Sequence, residues 1–458
     1  MLLRFADLGD TNSAKYPPEL TVLPLGTTMA RAGLSAKVFS REQDVAYLAR
    51  VIDGELEESL QSIGAVVIEG PRACGKTETA RQAAKSEVRL DVDATARQAF
   101  AIDPSLALAG PVPRLIDEWQ VDENVWDHVR RAVDERGETG QFILTGSSVP
   151  RDNARRHTGA GRFIHLRMRP MTMSEVGHSI NTISFAKVVA GEPASSAEPS
   201  LTVPDLADRL AIGGWPGYLR LNPMQAQRAM RGYLEDICNV DVQRLDEVRR
   251  DPRSVKRLIQ SLARNIGCPV TVESLTKDAN GKDGAMKVET VRRYLDVLSR
   301  LMITDDVTAW DPAMRSRTRL RAASIRHLAD PALAIAAQGS SPGRLLKDLK
   351  WFGFLFESMV VRDLRVYAQA VGAQVFHYHD EDDLEVDAIV EMPDGGWAAF
   401  EIKLGAVPSI VDAAAANLLN LRRKVGTPAL ALAVITGKGY GIVREDGVLQ
   451  IPLGALCA

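Results

Sequence analysis

Apolar residues recur at helical spacing through REQDVAYLARVIDGELEESL, which predicts a helix over residues 41–60. The period then changes. AVVIEG is a short continuous apolar run, the pattern of a strand buried on both faces, and KTETARQAAK returns to a helical pattern. RLDVDA, PRLID and GQFILTGS read as three further strands. Strands alternating with helical stretches predict an α/β unit with a parallel sheet. Before this block, residues 1–40 have weak periodicity and a proline-containing stretch, KYPPELTVLPLG, and read as an N-terminal arm. After it, VAGEPASSAEPSLTVPD reads as a linker. Helical pattern resumes in RAMRGYLEDICNVDVQRL, then in SVKRLIQSLARNI, TVESLTKDA and KVETVRRYLDVLSRL, with MITDDVTAW as a strand. The last hundred or so residues read as a separate α/β unit. A helix, FGFLFESMVVRDLRVYAQAV, leads to the strands QVFHYHD, EVDAIVEM and GWAAFEIKLG, another helix and the strand ALALAVI.

At roughly 150 residues per domain, a chain of 458 residues suggests about three domains. Hydrophobic residues at 45% and charged residues at 25% exclude a largely disordered or collagen-like chain. The net charge of −3 excludes a wholesale polycation, so any nucleic-acid contact must come from local basic patches. Cys74, Cys238, Cys268 and Cys457 are scattered with no C-x-x-C pair, which argues against a disulfide framework or a cysteine zinc site and fits a reducing cytoplasm. MLLRFADLGD turns acidic too early for a secretory signal, and no run of 18 apolar residues appears, so no membrane association is expected.

Residues 70–77, GPRACGKT, satisfy G-x-x-x-x-G-K-[ST] with a strand before and a helix after. Glycines let backbone N–H groups curl around phosphate oxygens, and the helix N-terminus adds orphan donors. Gly70, Pro71, Arg72, Ala73, Cys74, Gly75, Lys76, Thr77 and Glu78 would form the nucleotide cradle. Lys76 would reach the β- and γ-phosphates and Thr77 would ligate Mg²⁺. Cys74 is read as a small loop residue, with a redox-sensitive thiol as the alternative. LIDEWQ supplies an apolar strand ending in acids: Asp117 to hold Mg²⁺ and Glu118 to deprotonate the attacking water. At the end of FILTGSS, Thr145 or Ser147 would sense the γ-phosphate or position the water, unless the hydroxyls serve only a turn. RDNARRHTGAGRFIHLRMRP then sets Arg151, Arg155, Arg156, Arg162, Arg167 and Arg169 against one acid, Asp152. Arg162 is the preferred candidate to stabilise phosphoryl-transfer charge, often a role filled from a neighbouring subunit.

GPRACGKT, LIDEWQ, GQFILTGSS, RRHTGAGR and RPMTMSE, with GGWPG at 213–217 and HLADPAL at 327–333, resemble the AAA+-like bacterial and archaeal ATP-binding proteins. The resemblance covers nearly all of the chain after residue 38. It implies an N-terminal ATPase, a winged-helix segment and a C-terminal restriction-endonuclease-like domain of poorly defined role. The expected organisation is an arm at 1–40, a P-loop AAA+-like core at 41–200 and a helical lid at 201–250. A winged-helix domain with a basic strand at 251–325 and the restriction-endonuclease-like domain at 326–458 complete it. It also implies ATP and Mg²⁺ as cofactors and a homo-oligomer, with a hexameric ring among the open sizes. GGWPG would lie in the lid near the nucleotide, or be a plain structural turn.

In the winged-helix segment KVETVRRYLDVLSRL is the candidate recognition helix, with Lys287, Arg292 and Arg293 available to phosphates. Arg315, Arg317, Arg319 and Arg321 recur at period two, so in a strand all four share one face and form a positive ridge suited to a phosphate backbone. The alternative is a charged edge strand protected against aggregation. A restriction-type nuclease needs carboxylates converging on Mg²⁺ and a lysine beside the water. Glu357, Asp387, Glu401 and Lys403 fill that pattern, with Glu385 close to Asp387. The expected function is therefore a Mg²⁺-dependent ATPase acting on DNA, branched DNA suiting such a ring, with a nuclease-like C-terminal domain. The rival is an ATP-driven signalling switch that binds protein partners and keeps the nuclease fold as a non-catalytic scaffold.

Overall fold

The computed structural model describes residues 47–122, 124–148, 159–245, 250–282, 284–312 and 324–458, and residues 47–458 fall in one compact unit. The N-terminal arm, Arg151, Arg155 and Arg156, and the basic ridge from Arg315 to Arg321 lie outside the described residues.

The first block runs α1 (Ile52–Ser62), β1 (Ala65–Glu69), α2 (Lys76–Ala83), β2 (Ser86–Arg89), α3 (Ala94–Ile102), α4 (Pro104–Leu108), β3 (Arg114–Asp117), α5 (Asn124–Arg136), β4 (Phe142–Gly146) and β5 (Phe163–Arg167). The five strands form one parallel sheet in the order β2-β3-β4-β1-β5. The apolar runs AVVI and FIL are fully buried because β1 and β4 are central strands covered by helices on both faces. Two details depart from the sequence pattern. The second strand is SEVR rather than RLDVDA, which forms a turn and the start of α3. FIHLR, inside the arginine-rich stretch, is edge strand β5; its alternating charges mask a strand whose Phe163 and Leu166 are buried.

Next come β6 (Ile183–Ser184), α6 (Phe185–Val189), α7 (Val203–Ile212), α8 (Pro223–Asp236), a π-helical turn (Ile237–Asp241) and α9 (Val242–Arg244). α10 (Pro252–Arg264), β7 (Cys268–Pro269), α11 (Val272–Asn280), α12 (Val288–Arg300), β8 (Ile325–Arg326) and α13 (Pro331–Ala337) follow. The stretch expected as the strand MITDDVTAW makes only isolated bridges, Thr304 with Leu328, Val307 with Ile325 and Ala309 with His377. Its consecutive acids, Asp305 and Asp306, are drawn to arginines instead of a regular ladder.

α14 (Pro342–Leu345) and the 22-residue α15 (Leu349–Ala370) lead into β9 (Gln374–His379), β10 (Glu385–Glu391), β11 (Trp397–Lys403), α16 (Pro408–Val425), β12 (Ala431–Thr436), β13 (Ile442–Val443), β14 (Leu449–Pro452) and β15 (Leu456–Cys457). The six-stranded sheet has the order β13-β14-β12-β11-β10-β9, antiparallel from β9 to β11 and parallel where α16 crosses from β11 to β12. One hydrophobic cluster runs from α7 and α8 through α10, α12 and α13 to α15 and the inner face of this sheet. Three motif fragments meet inside it. Asp330 of HLADPAL accepts from the Gly214 N–H of GGWPG at 2.9 Å, and a Cβ on Gly214 would lie 2.3 Å from the Met171 carbonyl of RPMTMSE.

Candidate functional site

In the parallel sheet β1, β3 and β4 run the same way, so their C-terminal ends bring the loop 70–75, Asp117 and Glu118, and Thr145 to Ser147 to one edge. The loop is built for close backbone approach. A Cβ on Gly70 would lie 2.3 Å from the Met168 carbonyl, and Ala73 and Gly75 have φ of 59° and 109°. Lys76 is buried and its Nζ donates to the carbonyls of Gly70 at 2.9 Å and Pro71 at 3.0 Å. Thr77 Oγ1 donates to Asp117 Oδ1 at 2.7 Å, and Thr145 Oγ1 donates to the same oxygen. Cys74 is fully buried against Met168 and Gly70, which suits a small packing residue and keeps the thiol from solvent.

Glu118 occupies the left-handed region, φ 55° and ψ 47°, a conformation that costs a non-glycine residue on the order of 1–3 kcal/mol. Its carboxylate accepts from Gln120 Nε2 and, at 3.2 Å, from Ser147 Oγ. The sequence offered Thr145 or Ser147 as a γ-phosphate sensor or water-positioning group but not the contact of Ser147 with Glu118, and it missed Gln120, although its spacing two residues after Glu118 was visible.

The helical block closes over the loop through Arg72. Its carbonyl accepts from Trp215 Nε1 of GGWPG at 2.9 Å and from Tyr233 at 3.4 Å, and its guanidinium pairs with Asp241 at 2.7 Å. Burial raises the Asp241 carboxyl above its ordinary value, while Arg72 and Arg244 oppose that shift. Arg72, Asp241 and Arg244 line a cleft of about 450 Å³ with Glu118, Gln120 and Ser147. Asp241, Arg244 and buried Arg50, which donates to the Cys74 carbonyl at 3.0 Å, carried no sequence signal, since only the fold brings them to the loop. Glu78 points outward to Arg81.

Arg162 sits just before β5, the N-terminal end of the sheet, whereas the phosphate loop follows the C-terminal end of β1. Five strand residues, roughly 16 Å, separate the two ends. Arg162 is exposed and pairs with Asp134 at 2.8 Å. Arg167 and Arg169 hold Asp305 at 3.4 and 2.7 Å. Burial alone would raise that carboxyl, but Arg169, Arg365 and Arg167 hold it well below the usual range. Of the candidate recognition-helix cations, Arg292 pairs with Glu273 and Arg293 with Glu289, both on the surface.

A second cluster lies 300 residues away in sequence. β10 and β11 pair through Ala388 and Phe400, and the β9–β10 register shifts between Val386 and Ile389, so Asp387 sits at an irregularity that re-aims its side chain. Asp387 Oδ2 accepts from Ile402 N–H at 2.6 Å and from Lys403 Nζ at 2.9 Å. Lys403 Nζ also lies 2.5 Å from buried Glu401. Burial and then Asp387 raise Glu357 well above its ordinary value and raise Glu401 as well, with Lys403 opposing both. Burial would lower Lys403, but Asp387 and Glu401 raise it. The four expected residues thus converge. Among the described residues no group of three His, Cys, Asp or Glu side chains is arranged to hold a metal ion.

Residues 62–177 match the family model described as AAA domain. The core is of the AAA type. Residues 203–344 and 352–456 match two families described as domains of unknown function, DUF8612 and DUF4143. Uncharacterized proteins of Mycobacterium bovis and Mycobacterium tuberculosis are each 26% identical over 403 residues, 87% of this chain and 82% of theirs. A solved structure, the Walker-type ATPase of Pyrococcus abyssi, covers 62% of this chain and 94% of its own at 13% identity, with a TM-score of 0.38 that carries nothing further across. No described helix is long and apolar enough to cross a membrane.

Proposed function

We propose that the chain is a Mg²⁺-dependent ATPase that converts ATP to ADP and phosphate and acts on DNA. The observation that carries the reading is the junction of Thr77, Asp117 and Glu118 beneath Arg72 and Arg244 at one sheet edge. The residues present fit Mg²⁺-nucleotide. The Gly70 cradle has no room for a side chain, and the buried Lys76 ammonium rests on loop carbonyls that are weaker partners than phosphate oxygens. A divalent cation bound with the triphosphate neutralises charge on its β- and γ-oxygens. Thr77 and Asp117 would hold that cation, and Glu118 would take the proton of the attacking water, with Ser147 and Gln120 orienting its carboxylate.

The DNA part rests on the order α10, β7, α11, α12 followed by antiparallel bridges between 304–307 and 325–328, the sequence of elements in a winged helix. The Arg315–Arg321 ridge falls between those bridged segments in sequence. The helix-strand-strand-strand-helix-strand order from α15 to β12, with Asp387, Glu401 and Lys403 together, supports a restriction-endonuclease-like reading of the last block. Lys403 between two carboxylates favours a second reading, in which this cluster is a retained but non-catalytic scaffold and the ATPase is a protein-binding switch. The test is the ATPase rate with and without single-stranded, duplex and branched DNA. Several-fold stimulation supports the DNA enzyme; slow turnover indifferent to every DNA form supports the switch.

A further inference from the structure

A groove of about 580 Å³, separate from the nucleotide cleft, lies between α8, the π-helical turn, α10 and the end of α13. Its floor is apolar, with Leu234, Cys238, Ile259 and Ala336 all buried. Three cations, Arg231, Arg253 and Lys256, line it against one acid, Glu235, a balance of two positive charges. Lys256 and Glu235 are 3.6 Å apart and mostly exposed, a weak pair. Arg231 and Arg253 are paired with no acid among the described residues. The volume is that of a small-molecule site, in the range of roughly 300–1,000 Å³. Apolar walls lined by two guanidinium groups that have no acid partner among the described residues select a ligand with an apolar body and an anionic head.

The five-residue π-helical turn has two lined faces. Cys238 and Asn239 face this groove, while Ile237 and Asp241 face the nucleotide cleft, where Asp241 holds Arg72 of the phosphate loop. π-turns are rare and often mark functional positions. We propose that the groove binds an amphipathic anion, a carboxylate, sulfonate or phosphate on an apolar body, and that its occupancy is transmitted to the nucleotide cleft through the π-helical turn. The binding half stands without the ATPase reading; the coupling half rests on it.

The probe is 8-anilinonaphthalene-1-sulfonate, titrated by fluorescence into the full chain without nucleotide. The expected result is saturable binding at one site, weakened roughly tenfold by Arg253→Glu and by Arg231→Glu, the loss of a charge-assisted contact. Ala337→Phe, which fills the groove by a different route, should weaken it as well. Circular dichroism melts unchanged from wild type show that the variants fold. Unchanged probe affinity in all three folded variants overturns the site. Octanoate should displace the probe; displacement by a decaglutamate peptide and not by octanoate overturns the small-molecule assignment in favour of an acidic chain segment. With the site established, a fluorescent ATP analogue is titrated with and without saturating octanoate. An affinity change of threefold or more supports the coupling, and equal affinities overturn it. Failure of the analogue to bind at all counts against the ATPase reading and the coupling, and leaves the probe result standing.

Discussion

The Thr77 hydroxyl donates to the Asp117 carboxylate across 2.7 Å, tying the first turn of α2 to the end of β3 forty residues later. A hydroxyl and a carboxylate held side by side beneath a phosphate loop are a ready pair of oxygen ligands for a hard divalent cation. Glu118 follows immediately and is turned away from Asp117 by its left-handed backbone. In the proposed ATPase the two acids would therefore separate into a binding role and a base role. Lys76→Ala should abolish nucleotide binding. Glu118→Gln should keep binding within a few-fold and lose hydrolysis by about 10²–10⁴. Gln120→Ala and Ser147→Ala should fall between, since they only orient the carboxylate. Equilibrium binding of a fluorescent ATP analogue and steady-state phosphate release check all four, and normal turnover in Glu118→Gln would remove Glu118 from the base role.

Much of this edge was legible from the chain because its elements are local. GPRACGKT carries its own turn, and PRLID and GQFILTGS are continuous apolar runs whose ends must project from a parallel sheet. The likeness to an AAA core was legible for the same reason, and residues 62–177 match that family. The helical block's grip on the loop was not. Asp241 ends a π-helical turn that no hydrophobic period announces, Arg244 lies in the short α9 that follows it, and Arg50 reaches Cys74 only through the packing of α1 on the sheet. β5 was hidden because an edge strand tolerates His165 and Arg167 on its open side. The carboxylate pair Asp387 and Glu401 was legible from the PDGG hairpin, and Glu401 and Lys403 share a face of β11 by spacing, but the direct contact of the Lys403 ammonium with both acids was not.

Arg162 tests assembly. Its position at the far end of β5 puts it out of reach of its own chain's phosphate loop. Any contribution to hydrolysis must then come from a neighbouring copy. Arg162→Ala should bind nucleotide normally and, if Arg162 acts as an arginine finger, hydrolyse about 10³-fold or more slower. Asp134→Asn, which removes its surface partner, should have little effect. Mixing Arg162→Ala with Glu118→Gln subunits should restore part of the rate, because some mixed interfaces join an intact base to an intact arginine. Exchange without recovery would exclude the trans role.

The carboxylate cluster makes a prediction about cations. With Lys403 in place, one ammonium answers Asp387 and Glu401 directly, while burial and then Asp387 push the Glu357 carboxyl well above its ordinary value. Lys403→Ala removes the counter-charge and leaves three carboxyl groups facing one another. Mn²⁺ should raise the melting temperature of this variant by several degrees more than that of wild type. The shift should vanish in Lys403→Ala with Asp387→Ala. The catalytic reading predicts instead Mg²⁺- or Mn²⁺-dependent DNA cleavage by wild type, lost in Asp387→Ala and in Lys403→Ala, so the two measurements separate scaffold from nuclease.

Arg362 holds the junction of motif fragments together. It is fully enclosed on α15, pairing with Asp330 and with Asp363 at 2.6 Å, while Asp330 and Asp363 accept from Gly214 N–H and Met173 N–H. Burial pushes Asp363 up to about 6 from 3.8, with Arg362 opposing. A carboxyl raised in the folded state contributes most favourably below its unfolded value, and that contribution is lost as pH rises through the folded value. Asp363 should therefore cost wild type stability between about pH 4 and pH 6, relative to Asp363→Asn, with a plateau above. Thermal melts of both proteins across that range check the slope, and parallel curves would refute it. Arg362→Ala leaves two enclosed acids without their cation and should destabilise the fold at neutral pH by about 3–5 kcal/mol. Arg362→Met keeps most of the volume but not the charge. If Arg362→Met melts like wild type, the arginine acts by filling space, and the charge account of this junction fails.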